Sequence, residues 1–397
     1  MTALRDGRGA PSSGTVWDSL VGQHRAVEAL RAAADGHGMS HAFLFTGPPG
    51  SGRSNAAVAF AAALQCTEEQ RGCGTCHACH TVLAGSHADV AIVSTQGLSI
   101  GVKDVRDLVR RSALSPVGRG WQIVIVEDAD RVTEQGINAL LKAIEEPAER
   151  TVWMLCTPTV EDVLPTIRSR CRLVTLTTPT TDDVAAFLRR TDGVSEALAS
   201  YAARASQGHI GRARALARDE ATRDRRREVV AIPVSLTSLG ACMTRAARLA
   251  EVTKEEAEAI TSELDAREKA DLDTAYGVVE RGRRPREYAP ALRDLEKDQK
   301  SRAKRRVLDV VDRGLMDLVS VYRDAIAVSS GAPGSLVNEE IRGDVELLAR
   351  TGTPEAQLRR ITAIFEAREQ MLEFNVQPTL ALESMMLALV APEVRER

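Results

Sequence analysis

The sequence predicts an α/β protein: a five-stranded parallel sheet covered on both faces, followed by helices alone. Three observations predict it. Short apolar runs alternate with amphipathic stretches from Val16 to about Thr178, a glycine-rich turn joins the first run to a helix, and strand-like runs stop after "TTPTTDD" (177–183). Strands that alternate with helices imply parallel pairing, with helices on both faces of the sheet.

The strands are read at "AFLF" (42–45), "DVAIV" (89–93), "WQIVIV" (121–126), "TVWMLCT" (151–157) and "CRLVTL" (171–176), each bounded by turn residues. Helical stretches lie between them, such as 105–113, and "EQGINALLKAIEEP" sets Ile137, Leu140, Leu141 and Ile144 on one face before Pro147 ends it. Residues 183–218 read as a small helical unit with turns at "DGVS" and "SQGHIG". Beyond about 222 two apolar stripes are expected, one of Val307, Val311, Leu315, Leu318, Tyr322 and Ile326, the other of Leu358, Ile361, Phe365 and Leu372. "RDRRRE", "ERGRRPRE" and "EKDQKSRAKRR" mix acids with bases, which suits solvated helix faces or linkers better than a nucleic-acid patch.

With 397 residues, 44% apolar and only 3% aromatic, the chain is expected to hold two or three domains packed from Ala, Leu and Val. A net charge of −3 argues against coating nucleic acid by bulk electrostatics. No apolar run is long enough to cross a membrane, and "MTALRDGRGAPSSG" lacks the apolar core of a signal peptide, so a cytoplasmic location is expected.

"GPPGSGRS" (47–54) fits a phosphate-binding loop between strand and helix. Gly47, Gly50 and Gly52 let the backbone wrap an anion with its N–H groups turned inward, the helix N-terminus adds its positive end, and Ser54 is placed to ligate Mg²⁺. Arg53 stands where such loops carry lysine. Its planar fork can hold an anion but substitutes poorly for a compact ammonium at a phosphoryl transition state. At the third strand's end, "IVIVEDADR" places Glu127 before Asp128, the reverse of the Asp–Glu order that binds Mg²⁺ and polarises water. Two solvated acids after a strand would look the same.

Cys66, Cys73, Cys76 and Cys79 are spaced C-x₆-C-x₂-C-x₂-C, with Gly72 and Gly74 easing the turns. Four thiolates this close predict a closed, structural Zn²⁺ site over 66–80; His77 and His80 are alternative ligands that the spacing does not require. Cys156, Cys171 and Cys242 are isolated and read as buried apolar residues.

"VWDSLVGQHRAVEAL" (16–30), the loop, the cysteine insertion, "NALLKAIEEP" (138–147) and "SRC" (169–171) together resemble the clamp-loader branch of AAA+ proteins, and within it the delta-prime family of bacterial DNA polymerase III. The resemblance is strong over 16 to about 218 and thin beyond, where "NVQPTLALESMMLAL" (375–389) is similar. It implies a RecA-like AAA+ domain (16–178) after a flexible tail (1–15), a helical lid (179–222) and an all-α collar (223–397). It further implies that Val21 and Gly22 flank an adenine, Thr157 senses the γ-phosphate, and Arg170 is an arginine finger reaching the neighbouring subunit's ATP. A lone arginine before a strand is otherwise a surface ion pair. The lid run "GHIGRARAL" puts Gly211 where active motors carry a nucleotide-contacting arginine, and Arg212 beside it would point elsewhere.

Three departures thus coincide, in the loop, at the third strand's end and in the lid, and the expectation is a chain that keeps the loop's shape and has lost hydrolysis in cis. ATP or ADP binding without turnover stays compatible with it. The implied partners are motor gamma/tau-type and delta-type subunits in a hetero-oligomeric ring, with the sliding clamp and primer-template DNA reached through it. Membership of a DNA-directed DNA polymerase assembly, a nucleotidyltransferase, follows from the same resemblance. The alternatives are an ATP-hydrolysing motor subunit, which should have intact Lys, Asp–Glu and lid arginine, and a stand-alone zinc DNA-binding module, which should be basic around its cysteines.

Overall fold

The computed structural model describes residues 14–390 apart from 95–98, 119, 277, 279–284 and 333. The expected tail therefore falls almost wholly outside the described residues, as does most of "ERGRRPRE". The chain forms two compact units, up to Arg218 and from Asp219.

The first unit is built on five parallel strands, β1 (Ala42–Thr46), β2 (Val90–Val93), β3 (Gln122–Val126), β4 (Thr151–Thr157) and β5 (Arg172–Thr175), in the order β2-β3-β4-β1-β5. Successive side chains of a strand point to opposite faces, and here both faces are covered, so apolar runs rather than alternation mark the central strands. Phe43, Phe45, Ile123, Ile125, Met154 and Cys156 enter one core; Leu44, Val124, Val126, Trp153 and Leu155 enter the other. The first is closed by α1 (His24–Ala34) and α2 (Arg53–Gln65). Residues 56–65 of α2 are all buried, six of them Ala, which lets the helix lie close to the sheet. A seven-residue helix, α3 (His77–Leu83), follows the cysteine turn. The second core is closed by α4 (Val102–Ser112) and α5 (Glu134–Glu145), where Leu140 and Ile144 are buried and Ile137 and Leu141 pack beside them. A short turn, α6 (Pro165–Arg168), leads into β5.

Three helices, α7 (Thr181–Asp192), α8 (Glu196–Ser206) and α9 (Ile210–Arg218), bury their own core of Val184, Leu188, Ala199, Ala203 and Leu216, which also takes in Val21. The fully buried Asp192 carboxylate ties α7 to α9 through Arg214, 3.1 Å away.

The second unit is helical throughout its described residues: α10 (Glu220–Val230), α11 (Ile232–Ser235), α12 (Leu239–Ala275), α13 (Tyr288–Ser329), α14 (Arg342–Thr351), α15 (Pro354–Leu372) and α16 (Pro378–Leu389). Val311, Leu315, Leu318 and Tyr322 form the expected stripe of α13, with Cys242 and Leu249 of α12 in the same core. The stripe expected on α15 is corrected. Gln357, Ile364, Ala367 and Met371 face inward and Ile361 of the expected stripe packs against the core, while Leu358, Phe365 and Leu372 are exposed. Both rows have helical spacing, and only the position of the neighbouring helices chooses between them.

Candidate nucleotide-loop site

The loop has the backbone that its glycines predict. Gly47, Gly50 and Gly52 adopt φ of 153°, 84° and 94°, and Gly52 caps α2 in the left-handed region. At Gly50 the need for glycine is also spatial, since a Cβ would lie 2.3 Å from Cγ of His209. The turn before α9 thus lays His209 directly on the phosphate loop.

Some of the loop's polar groups bond inside the protein, while the buried Ser51 hydroxyl has no hydrogen-bond partner among the described residues. Arg53 folds back and donates from Nη1 to the Gly47 carbonyl at 2.6 Å. Burial draws its pKa below the ordinary value, opposed by the nearby Cys156, Asp130, Asp128 and Asp162. The Gly47 N–H donates to the Pro158 carbonyl and the Ser51 N–H to the Pro48 carbonyl, both at 3.1 Å. Thr157 is fully buried, and its only hydroxyl proton goes to the Thr159 carbonyl at 2.7 Å. A hydroxyl donates once, so in this arrangement none is left for a phosphate. Ser54 is half-buried on the first turn of α2.

Glu127 and Asp128 are both half-buried at the end of β3, and Asp128 bears on Arg53. Asp130 does so too, a residue passed over in the sequence because it lies beyond the strand end. Burial raises its carboxyl, and Asp128 adds to the effect against Arg131 and Arg53. Gly211 brings no side chain to the site, and the Arg212 N–H caps onto Nδ1 of His209 at 3.2 Å.

A second residue passed over is Gln23, one position after the Val21–Gly22 pair. It is 3% exposed. Its Nε2 donates to the carbonyls of Thr177 (2.7 Å) and Ser51 (3.4 Å), and its Oε1 accepts from the Thr177 N–H at 3.1 Å. One amide thereby joins the loop to the strand-to-lid connection. Its sequence signal was slight, a single glutamine immediately before the polar first turn of α1. Gly22 is in the left-handed region (φ 71°), packed by Pro179 and Asp183.

The four cysteines converge. Their Sγ atoms all lie within 4.8 Å of one another, and Cys66 stands 3.8 Å from both Cys73 and Cys76. Sulfurs about 2.3 Å from a tetrahedral ion stand about 3.8 Å apart, so the donor set fits Zn²⁺. Backbone N–H groups point at the sulfurs, Cys76 at Cys73 (3.3 Å) and Cys79 at Cys76 (3.4 Å). His77 and His80 are exposed and stay out of the set. The module also holds the N-terminal segment: Val16 N–H donates to the Gly72 carbonyl at 3.0 Å and Trp17 Nε1 to that of Arg71 at 3.3 Å. Of the other cysteines, Cys156 and Cys242 are fully buried and Cys171 is half-buried.

Arg170 lies elsewhere. It is 40% exposed, pairs with Glu145 at 3.0 Å and donates to the Thr166 carbonyl at 2.9 Å. It precedes β5, whose Arg172 pairs with Phe43 near the start of β1, while the phosphate loop follows Thr46 at the other end of that strand. Parallel strands put the two at opposite strand ends. No described helix is long and apolar enough to cross a membrane.

Residues 22–180 match the family model described as DNA polymerase III, delta subunit. The chain is 37% identical over 154 residues to the DNA polymerase III subunit gamma/tau of Mycobacterium tuberculosis, covering 38% of this chain and 27% of that one. It is 37% identical over 141 residues to the subunit delta' of Haemophilus influenzae (35% and 43%) and 32% over 151 residues to that of Bacillus subtilis (38% and 46%). The chain therefore spans less than half the length of each of these relatives. A gamma subunit-related protein of Thermotoga maritima aligns over 92% of this chain and 98% of its own at 16% identity, with a TM-score of 0.39. Over residues 22–180 the chain is thus similar to DNA polymerase III subunits described as delta, delta' and gamma/tau.

Proposed function

We propose that the chain is a non-hydrolysing, delta-prime-type subunit of the DNA polymerase III clamp loader. It would help to load the sliding clamp onto primed DNA, standing in a ring beside gamma/tau-type and delta-type subunits. The observation that carries this reading is Arg53, whose guanidinium is bonded to the loop's own Gly47 carbonyl instead of being offered to a phosphate. His209 on Gly50, the internally bonded Thr157 and the lid glycine at 211 support it. These groups do not fit an Mg-nucleotide in a hydrolytic pose. The four cysteines would hold one structural Zn²⁺, which has no open coordination position and takes no part in chemistry. Residues 179–222 would be the lid and 223–397 the collar, where exposed Leu358, Phe365 and Leu372 offer an apolar face to another subunit.

The motor reading has one observation in its favour: the same stretch is 37% identical to a gamma/tau subunit and 37% to a delta' subunit. Identity does not separate them; the Arg53–Gly47 bond favours the non-hydrolysing reading. Alone, the purified protein should show negligible ATPase activity, and Arg53→Lys should not restore it, because catalytic groups act as a unit and the other departures remain. Robust turnover by the wild type, copurifying at constant specific activity, would establish the motor reading instead.

A further inference from the structure

The long pair α12–α13 runs antiparallel, as its cross-links show: Asp265 and Glu268 meet Arg302, Glu268 meets Gln299, and Asp273 meets Tyr288. On the outer part of α13, acids and bases are mixed in sequence, but winding separates them. Arg293, Lys297, Lys300 and Lys304 are spaced i, i+4, i+7, i+11 and are all exposed. At about 100° per residue they fall within an arc of about 60° and span about 16 Å of the helix axis. Arg302, Gln299 and the buried Tyr288 face α12 from the opposite side. Asp294 and Asp298 lie outside the arc, and Glu296 flanks one edge of it. Lys304 is steadied by Asn375, 2.7 Å away, and Arg302 braces the hairpin beneath.

We infer that this outward face of α13 binds the phosphate backbone of duplex DNA without regard to sequence. An acidic protein partner would be expected to anchor through apolar or aromatic side chains; beside these cations α13 presents the exposed Ala289 and Pro290 before the row and the half-buried Ser301 within it. Residues 293–304 carry no aromatic side chain, and the exposed Phe374 stands only at the Lys304 end, next to Asn375 in the chain, so contact along the row is with phosphates. A row of cations along a straight helix matches a regular line of negative charge, and each phosphate neutralised releases counterions.

The test uses the full-length protein and a labelled duplex of arbitrary sequence, followed by fluorescence anisotropy across a salt series. Four contacts contribute about −3.6 to the slope of log K against log salt, and Arg293→Gln/Lys297→Gln/Lys300→Gln should make the slope shallower by about 2.7. Lys254→Gln/Arg267→Gln/Lys269→Gln removes the same charge from α12 of the same hairpin and should leave the slope unchanged. Equal slopes for wild type and the α13 variant, or equal losses in both variants, would overturn the assignment. So would binding of an oligoglutamate probe by wild type without binding of the duplex. Duplex binding by the isolated chain is read separately from ATPase and clamp loading, so either conclusion can fail alone.

Discussion

Gln23 shows how one side chain can hold a site that its local sequence barely announces. Its amide bonds both backbone groups of Thr177, 154 positions away, and reaches Ser51 in the loop. Gln23→Leu keeps the bulk but takes the partner from the part-buried N–H and carbonyl of Thr177 and from the buried Ser51 carbonyl, which should cost about 1–2 kcal/mol. Urea denaturation measures that loss, and hydrogen exchange at residues 176–178 should speed up before the rest of the sheet. Unchanged exchange there would show that the amide is not what holds the connection. Arg53 is the converse case. Its presence was plain in the sequence, but its hydrogen bond to Gly47 needed the folded loop.

At the scale of elements, the cysteine module combines a legible spacing with a less legible task. Cys66 caps the end of α2 and Cys76 the start of α3, so metal would fix the angle between two helices. The same turn carries the carbonyls that bind Val16 and Trp17, linking the module to the segment that ends at Gln23. The protein should hold about one zinc per chain, and Cys76→Ser should lose it while melting at lower temperature. Burial raises the Cys79 and Cys76 thiols, so their protons must be displaced by the metal. Affinity should therefore fall as pH drops, with zinc retained at pH 7.5 and released on dialysis at pH 5. Metal analysis across that range checks the direction; retention independent of pH would exclude thiolate ligation. On α15 the element was legible and its face was not, because Leu358, Phe365 and Leu372 repeat as regularly as the residues that are buried.

Across the whole molecule, sheet topology decides what Arg170 can do. Parallel pairing of β1 with β5 leaves it at the strand end opposite its own phosphate loop, and the proposed role at a nucleotide is therefore one at a neighbour's site. In the isolated chain Arg170→Ala removes one exposed ion pair and should change stability by less than about 1 kcal/mol. In a reconstituted loader the adjacent motor site should lose turnover by as much as about 10³-fold, because guanidinium charge stabilises phosphoryl transfer. Total ATPase would fall modestly, since one site of several is affected, and clamp loading much further. Full loading activity with the alanine variant would reduce Arg170 to its pair with Glu145.

The sequence by itself determined what is local. Apolar runs of four to seven residues became β1–β5, glycines became positive-φ turns, and close cysteine spacing brought four sulfurs together. Each depends on backbone preference or on chain length too short to allow much else. Tertiary structure alone decided which row of α15 is buried, that His209 lies on Gly50, that Gln23 spans to Thr177, and which side of α13 faces away from α12. Those outcomes depend on contacts between residues far apart in the chain. A repeating pattern specifies that a helix has faces, but only the packed neighbour selects the one that leaves water.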